Sequence, residues 1–131
     1  MIDQEFWKGK RVFLTGHTGF KGSWLSLWLS SLGADVRGYA LNPPTSPSLF
    51  DEAKVASIID SQIGDIRDQE KLYISMTEFN PDIIIHMAAQ SLVRYSYDAP
   101  IETYEVNVIG TGKEFEVARS CSNLKAVLNI T

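Results

Sequence analysis

The apolar run Arg11-Val12-Phe13-Leu14-Thr15 leads without a break into Gly16-His17-Thr18-Gly19-Phe20-Lys21-Gly22, and over residues 23–32 the pattern turns helical. A strand, a turn with glycines at three-residue spacing and then a helix is an arrangement with few outcomes. Gly16 permits the tight turn, Gly19 lets the main chain come close to an anion, and Gly22 lets helix and strand pack tightly. The N–H groups and partial positive charge at the start of the helix then face that anion. A merely structural turn is the plainer alternative. The context favours a pyrophosphate cradle built from Gly16, His17, Gly19, Phe20, Lys21 and Gly22, and therefore a nucleotide-binding fold.

The rest of the chain repeats the alternation. Trp24, Leu25, Trp28, Leu29 and Leu32 share one broad helical face, so both tryptophans are predicted to be core residues rather than ligand stackers. Gly33 is placed to stop that helix. Residues 36–41 are predicted as a second strand, followed by a proline-rich loop over 42–48 and a weak helix near 49–53. A third strand is expected at 58–63, ending at Gly64-Asp65, and Asp68 is a plausible N-cap for a helix to Phe79. The β-branched run at 83–87 reads as a central strand buried on both faces. A long helix opens at Pro100 or Ile101 and reaches about Ser120, and a fifth strand follows at 126–130. Helical crossovers between strands impose a parallel sheet with right-handed connections. The expected fold is α/β, a Rossmann-type doubly wound sheet in the order 3-2-1-4-5, with the ligand at the switch point between strands one and four. Residues 16–21, 40–42, Asp65 and 88–90 should line that site. His86, at the end of a buried strand, reads as a core histidine rather than a catalyst.

Composition narrows the partners. At 131 residues and 44% hydrophobic content, the chain suits one domain, residues 1–131, with a real core. A net charge of −4 leaves no basic stripe for phosphates, which argues against a nucleic-acid partner. The apolar-rich stretch at 24–32 is too short and too serine-interrupted to span a bilayer, so no membrane partner is expected. The start, Met1-Ile2-Asp3-Gln4-Glu5, lacks the basic and apolar blocks of a signal peptide. The single cysteine, Cys121, offers no disulfide framework and no cysteine-based metal site, and reads as a reduced thiol near a helix end. A cytoplasmic protein is the expectation.

Four segments resemble the extended short-chain dehydrogenase/reductases in order and spacing: Thr15 to Gly22, Gly64-Asp65-Ile66, Met87-Ala88-Ala89, and Asn107-Val108-Ile109-Gly110-Thr111. Further blocks resemble the CDP-glucose 4,6-dehydratase branch. These are Phe6-Trp7-x-Gly9-Lys10-Arg11-Val12, Gly16 through Leu25, Pro43-Pro44-Thr45-x-Pro47-Ser48-Leu49-Phe50, His86 through Arg94, and Asn129-Ile130-Thr131. The resemblance implies a nucleotide-sugar lyase with tightly held NAD: hydride leaves C4 of the hexose, water is lost across C5–C6, and hydride returns to C6. It implies cofactor contacts from Asp65 (to the adenine amino group), Ile66, Ala88, Ala89, Gln90 and Asn107, the last also holding a backbone kink. Gln90, Ser91 and Arg94 would face the sugar nucleotide, with CDP-glucose the suspected substrate and Arg94 suited to a phosphate. The alternatives are a turn or cap aspartate at 65, tight packing at the alanines, a solvated Arg94 and a plain helix asparagine at 107. A homo-oligomer, dimer or tetramer, is the family habit.

Two positions depart from that pattern. NAD-specific members usually end strand two in an acidic residue for the ribose diol. Here stand Ala40, Leu41 and Asn42, with no arginine to grip a 2′-phosphate either, so NAD is retained. Lys21 stands where this turn commonly carries an aliphatic residue. The family's chemistry also needs a tyrosine four residues before a lysine. None of Tyr39, Tyr73, Tyr95, Tyr97 and Tyr104 has one, so no catalytic residue is assigned. The chain reads as the N-terminal, cofactor-binding part of a longer enzyme, truncated after strand five, inactive by itself and with part of its sheet uncovered. A nucleotide-sugar epimerase or reductase, and a non-catalytic dinucleotide-binding module, are the competing readings.

Overall fold

The run at Arg11–Thr15 becomes β1, the centre of a five-stranded sheet. The computed structural model describes residues 2–130, so Met1 and the Thr131 of the last resemblance segment lie outside it. A short helix α1 (Gln4–Trp7) leads in, capped by the Asp3 carboxylate. After β1 come α2 (Phe20–Ser31), β2 (Asp35–Ala40), α3 (Leu49–Glu52), β3 (Asp60–Ile63), α4 (Gln69–Phe79) and β4 (Ile83–His86). The chain goes on through α5 (Val93–Asp98), α6 (Pro100–Tyr104), a π-helical turn (Glu105–Gly110), α7 (Thr111–Ala118) and β5 (Ala126–Asn129). All pairings are parallel, and the order is β3-β2-β1-β4-β5, as expected.

Side chains of β1 alternate between two cores. Val12 and Leu14 join Leu29, Val36 and Ile85 on the side covered by α2. Phe13 joins Tyr39, Leu72, Met76, Phe79, Ile84 and Val117 on the side covered by α4 and α7. Ile84 and Ile85 of β4 are buried on opposite faces, as the β-branched run predicts. Asp68 caps α4 by accepting from the Lys71 amide, and Gly33, at φ +86°, ends α2 as expected. Among the described residues no helix is long and apolar enough to cross a membrane.

The structure departs from expectation at three points. Trp24 and Trp28 are not core residues; each is about half exposed, at 55% and 51%. The face of α2 that docks is Gly22, Ser23, Ser26 and Leu29. At 100° per residue, Trp24 lies about 200° round the helix from Gly22, so a helix seated on its glycine must turn the indoles outward. Lys21, Trp24, Leu25, Trp28 and Met87 thereby line an open groove of about 680 Å³. Residues 93–98, where no element is predicted, form α5. The long helix is one continuous run over 100–118, but its middle is wound as a π turn.

β5 is an edge strand whose four residues are all exposed. A groove of about 340 Å³ opens between it and α7, lined by Phe115, Ala118, Leu124 and Val127.

Of the glycines, Gly22 leaves the least room for a side chain, where α2 seats on the turn. A Cβ at Gly22 would lie 2.0 Å from the Gly16 carbonyl oxygen and 2.9 Å from the Cα of His17. Gly22→Ala is therefore expected to lower stability by about 1–3 kcal/mol, read as a fall in the urea midpoint without a change in slope.

Candidate functional site

The crevice opens where the C-terminal ends of β1 and β4 diverge. Gly16 leaves β1 with φ +79°, and a Cβ there would sit 2.8 Å from the Met87 carbonyl carbon and oxygen. Gly19 is the N-cap of α2 in an extended conformation. No side chain caps this helix and no acidic residue sits in its first turn. Its partial positive charge is thus uncompensated, which is the electrostatic condition for seating an anion. The side chains of Phe20 and Lys21 are exposed at the rim. Ala88 is half-buried and Ala89 exposed on the opposite lip.

His17 sits in the turn, but its imidazole points inward and is fully buried. The ring lies against Gly38 of β2, where a Cβ would come within 2.3 Å, and edge-on to Phe50 at 5.5 Å. Its Nε2 is 2.7 Å from Ser61 Oγ. His17 can therefore face a ligand only through its main chain. Burial pushes its pKa down to about 4, against a weaker opposing backbone contact at Tyr39. Thr18 Oγ1 donates to the Leu41 carbonyl (2.8 Å), tying the turn to the end of β2. That strand end carries no carboxylate: Ala40 is buried, and Leu41 and Asn42 are exposed.

Thr15 was not singled out from the sequence, yet its buried hydroxyl links the two lips. It accepts from the amides of Met87 (3.1 Å) and Ala88 (3.2 Å) and lies 2.9 Å from His86 Nδ1. His86 is a core histidine, 3% exposed, with Nε2 2.9 Å from Thr111 Oγ1.

The loop after β4 is pinned by Asn107. Its Oδ1 accepts from the Gln90 amide (2.8 Å), and its Nδ2 donates to the Gln90 carbonyl (3.0 Å). Asn107 lies within the π turn, whose widened winding accompanies this clamp. The Gln90 side chain is spent on its own loop: its Nε2 donates to Thr103 Oγ1 and its Oε1 accepts from the Leu92 amide. Ser91 and Arg94 are exposed, Arg94 in the first turn of α5.

Asp65 follows β3, with Ile66 buried against Gly110 of the π turn. The Asp65 carboxylate is gripped by Arg67, through Nε at 3.0 Å, Nη2 at 2.6 Å and the Arg67 amide at 2.8 Å. That hydrogen bonding holds the carboxyl below its usual range. Arg67 also reaches Glu102 and Glu105 on the helix opposite. Nothing in the sequence pattern marked Arg67. An incoming donor at Asp65 shares an acceptor already engaged on both oxygens.

The sheet order, the glycine turn and the crevice between β1 and β4 define a Rossmann-type α/β protein. The chain belongs to the GDP-mannose 4,6 dehydratase family, whose family model matches residues 13–130. It is 61% identical over 131 residues to a CDP-glucose 4,6-dehydratase of Salmonella typhimurium, covering all of this chain and 36% of that protein. It is 38% identical over 107 residues to a UDP-glucose 4-epimerase of Halalkalibacterium halodurans, covering 76% of this chain and 28% of the relative. The chain thus spans about a third of the length of these curated relatives. Among solved structures, the UDP-glucose 4-epimerase of Brucella ovis in complex with NAD matches with a TM-score of 0.75 at 27% identity, over 92% of this chain and 35% of that one. The Bordetella bronchiseptica enzyme WbmF, in complex with NAD+ and UDP, has the same fold, with a TM-score of 0.80 at 22% identity over 97% of this chain and 36% of that one.

The buried His17 gives the turn a pH dependence. Because its folded pKa lies below the ordinary value, the unfolded chain binds more protons between about pH 6.5 and 4. The stability contributed by neutral His17 is fully present above that window. It is lost as pH falls through it, approaching roughly 3 kcal/mol at the acid end. Urea midpoints measured down this range should fall for the native chain and stay flatter for His17→Asn.

Proposed function

We propose that this chain is the dinucleotide-binding part of a nucleotide-sugar 4,6-dehydratase that uses NAD and acts on CDP-glucose. The observation that carries the reading is the uncapped N-terminus of α2, seated by Gly22 against the Gly16 turn between the ends of β1 and β4. Space that a Cβ would fill and an uncompensated helix end fit a pyrophosphate. The main chain of Gly16, His17, Gly19, Phe20, Lys21 and Gly22 would hold it. Asp65 and Ile66 would meet the adenine, and Ala88, Ala89 and Gln90 the nicotinamide side, with Asn107 fixing Gln90. Ser91 and Arg94 stand exposed beyond that lip and would meet the sugar nucleotide. When bound, NAD supplies the acceptor and donor of hydride for an internal oxidation, loss of water and reduction. The choice of CDP-glucose rests on the 61% identity to the Salmonella typhimurium dehydratase.

The similarity to UDP-glucose 4-epimerases supports a second reading, an epimerase on the same fold. Product analysis separates them: a 4-keto-6-deoxy sugar has lost water and an epimer has not. The exposed row Ile101, Tyr104, Val108 and Phe115 along the 100–118 helix fits a homo-oligomer. That the chain spans 36% of the Salmonella typhimurium dehydratase supports reading residues 1–131 as one domain of a larger enzyme, for which we propose the cytoplasm.

Calorimetric titration should show NAD binding more tightly than NADP; NADP binding about tenfold tighter would overturn the choice of cofactor. Lys21 is exposed beside the helix end, so Lys21→Ile is expected to change dinucleotide affinity severalfold with little change in melting temperature. A drop of several degrees with unaltered affinity would assign Lys21 to stability instead.

A further inference from the structure

Six residues make up α5, between the Gln90 loop and α6, and none of them is buried. Core packing therefore does not set where this helix lies, although it carries Arg94 and follows closely on Ser91. Its start is held where the Leu92 amide donates to Gln90 Oε1 at 2.6 Å. Along its length, among the described residues, one side-chain hydrogen bond leaves it: the Tyr95 hydroxyl donates to Glu102 Oε2 on α6.

The other oxygen of that carboxylate faces Arg67. Glu102 Oε1 lies 3.5 Å from Arg67 Nη1, and Glu105 Oε2 lies 3.8 Å from the same nitrogen. Both are ion pairs at a distance too long for a good hydrogen bond. The opposite edge of the guanidinium is committed to Asp65. Asp65 Oδ1 accepts from the Arg67 amide and Nε, and Oδ2 accepts from Nε and Nη2. A carboxylate oxygen offers two lone pairs, so Asp65 has none to spare. A further N–H donor arriving there must take the place of a guanidinium bond. The guanidinium released on that side is free to close on Glu102 Oε1. Tyr95 is held by Oε2, so the closure does not dislodge it but steadies the carboxylate that holds α5. The Arg67 main chain stays anchored meanwhile, because Lys113 Nζ donates to its carbonyl at 2.6 Å.

We propose that Arg67, Glu102 and Tyr95 are positioning residues that form a relay from Asp65 to α5: an amino donor at Asp65 moves Arg67 onto Glu102, and Glu102 then holds Tyr95, and with it Arg94, more firmly beside the crevice. The relay rests on the reading of Asp65 as the adenine acceptor. It makes a chemical distinction that shape alone does not. A purine with an exocyclic amino group brings a donor to the carboxylate, whereas one with a carbonyl in its place brings an acceptor and leaves Arg67 on Asp65. By linkage, a ligand that steadies α5 from the sugar-nucleotide side tightens dinucleotide binding by the same factor.

The test uses the whole protein and reads amide hydrogen exchange at Ser96 and Ala99, whose N–H groups donate to the Leu92 and Tyr95 carbonyls. In wild type, saturating NAD should slow exchange at both about tenfold, the equivalent of one hydrogen bond. The deamino analogue of NAD, with hypoxanthine in place of adenine, should bind without that slowing. Tyr95→Phe removes one hydroxyl from an exposed side chain and should keep the melting temperature. Without ligand its two amides should exchange severalfold faster than in wild type, and they should not respond to NAD. Glu102→Gln keeps an acceptor for Tyr95 but no charge for Arg67, so it should retain the unliganded protection and lose the response. Equal slowing by NAD and its deamino analogue would overturn the relay, since a merely structural tether does not sense the base. Wild-type exchange in Tyr95→Phe would overturn the tether itself, a comparison that needs no dinucleotide. Wild type binding neither dinucleotide would sink the function proposed above and the relay with it, a failure seen in the titration before exchange is read.

Discussion

The hydroxyl of Thr15 holds the two lips of the crevice together. β1 and β4 pair only as far as Leu14 and Ile85, and beyond that point the sheet ladder no longer sets their separation. One side chain takes over, accepting from two successive amides of the departing strand. It is buried, so these bonds face no competition from water, and breaking them would strand two main-chain donors. The close approach of Gly16 to Met87 depends on that tether. So does the direction in which Ala88 and Ala89 leave the sheet. The glycines make the space; the threonine keeps its opposite wall in place.

Much of this was legible from residue order. The switch from an apolar strand to a glycine turn to a helical period placed β1 and α2, and the repeated alternation dictated a parallel sheet in the observed order. Caps were readable because they act over three residues, as at Asp68 and Gly33. The tryptophans of α2 were misjudged for a physical reason. Hydrophobic periodicity finds the apolar side of a helix, but this helix docks through Gly22, Ser23 and Ser26 because contact distance, not apolar area, governs its seat. The small helix at Val93–Asp98 escaped because its Tyr-Ser-Tyr centre is not strongly helix-forming and it carries no side-chain cap.

The polar wiring was the least legible. Thr15 and His86 are 71 positions apart, and Asn107 meets Gln90 across 17. Such pairs have no period and no local signature, and they emerge only when the sheet has assembled. The likeness to the extended short-chain dehydrogenase/reductases pointed to Asn107 as a residue that holds a kink, and the π turn gives that role a geometry. It said nothing of Arg67, whose grip on Asp65 alters what that carboxylate can still accept.

The three tryptophans of the chain all lie toward one layer. Trp7 packs against the Val12, Leu14 and Leu29 core, and Trp24 and Trp28 stand half in solvent on α2. The other layer, from α4 to α7, is lit only by tyrosine and phenylalanine. Indole emission is accordingly a one-sided optical probe. It registers the seating of α2 and anything that later covers its outer groove, while loosening of the Asn107 clamp or of the Phe13, Leu72 and Met76 core would pass in the dark.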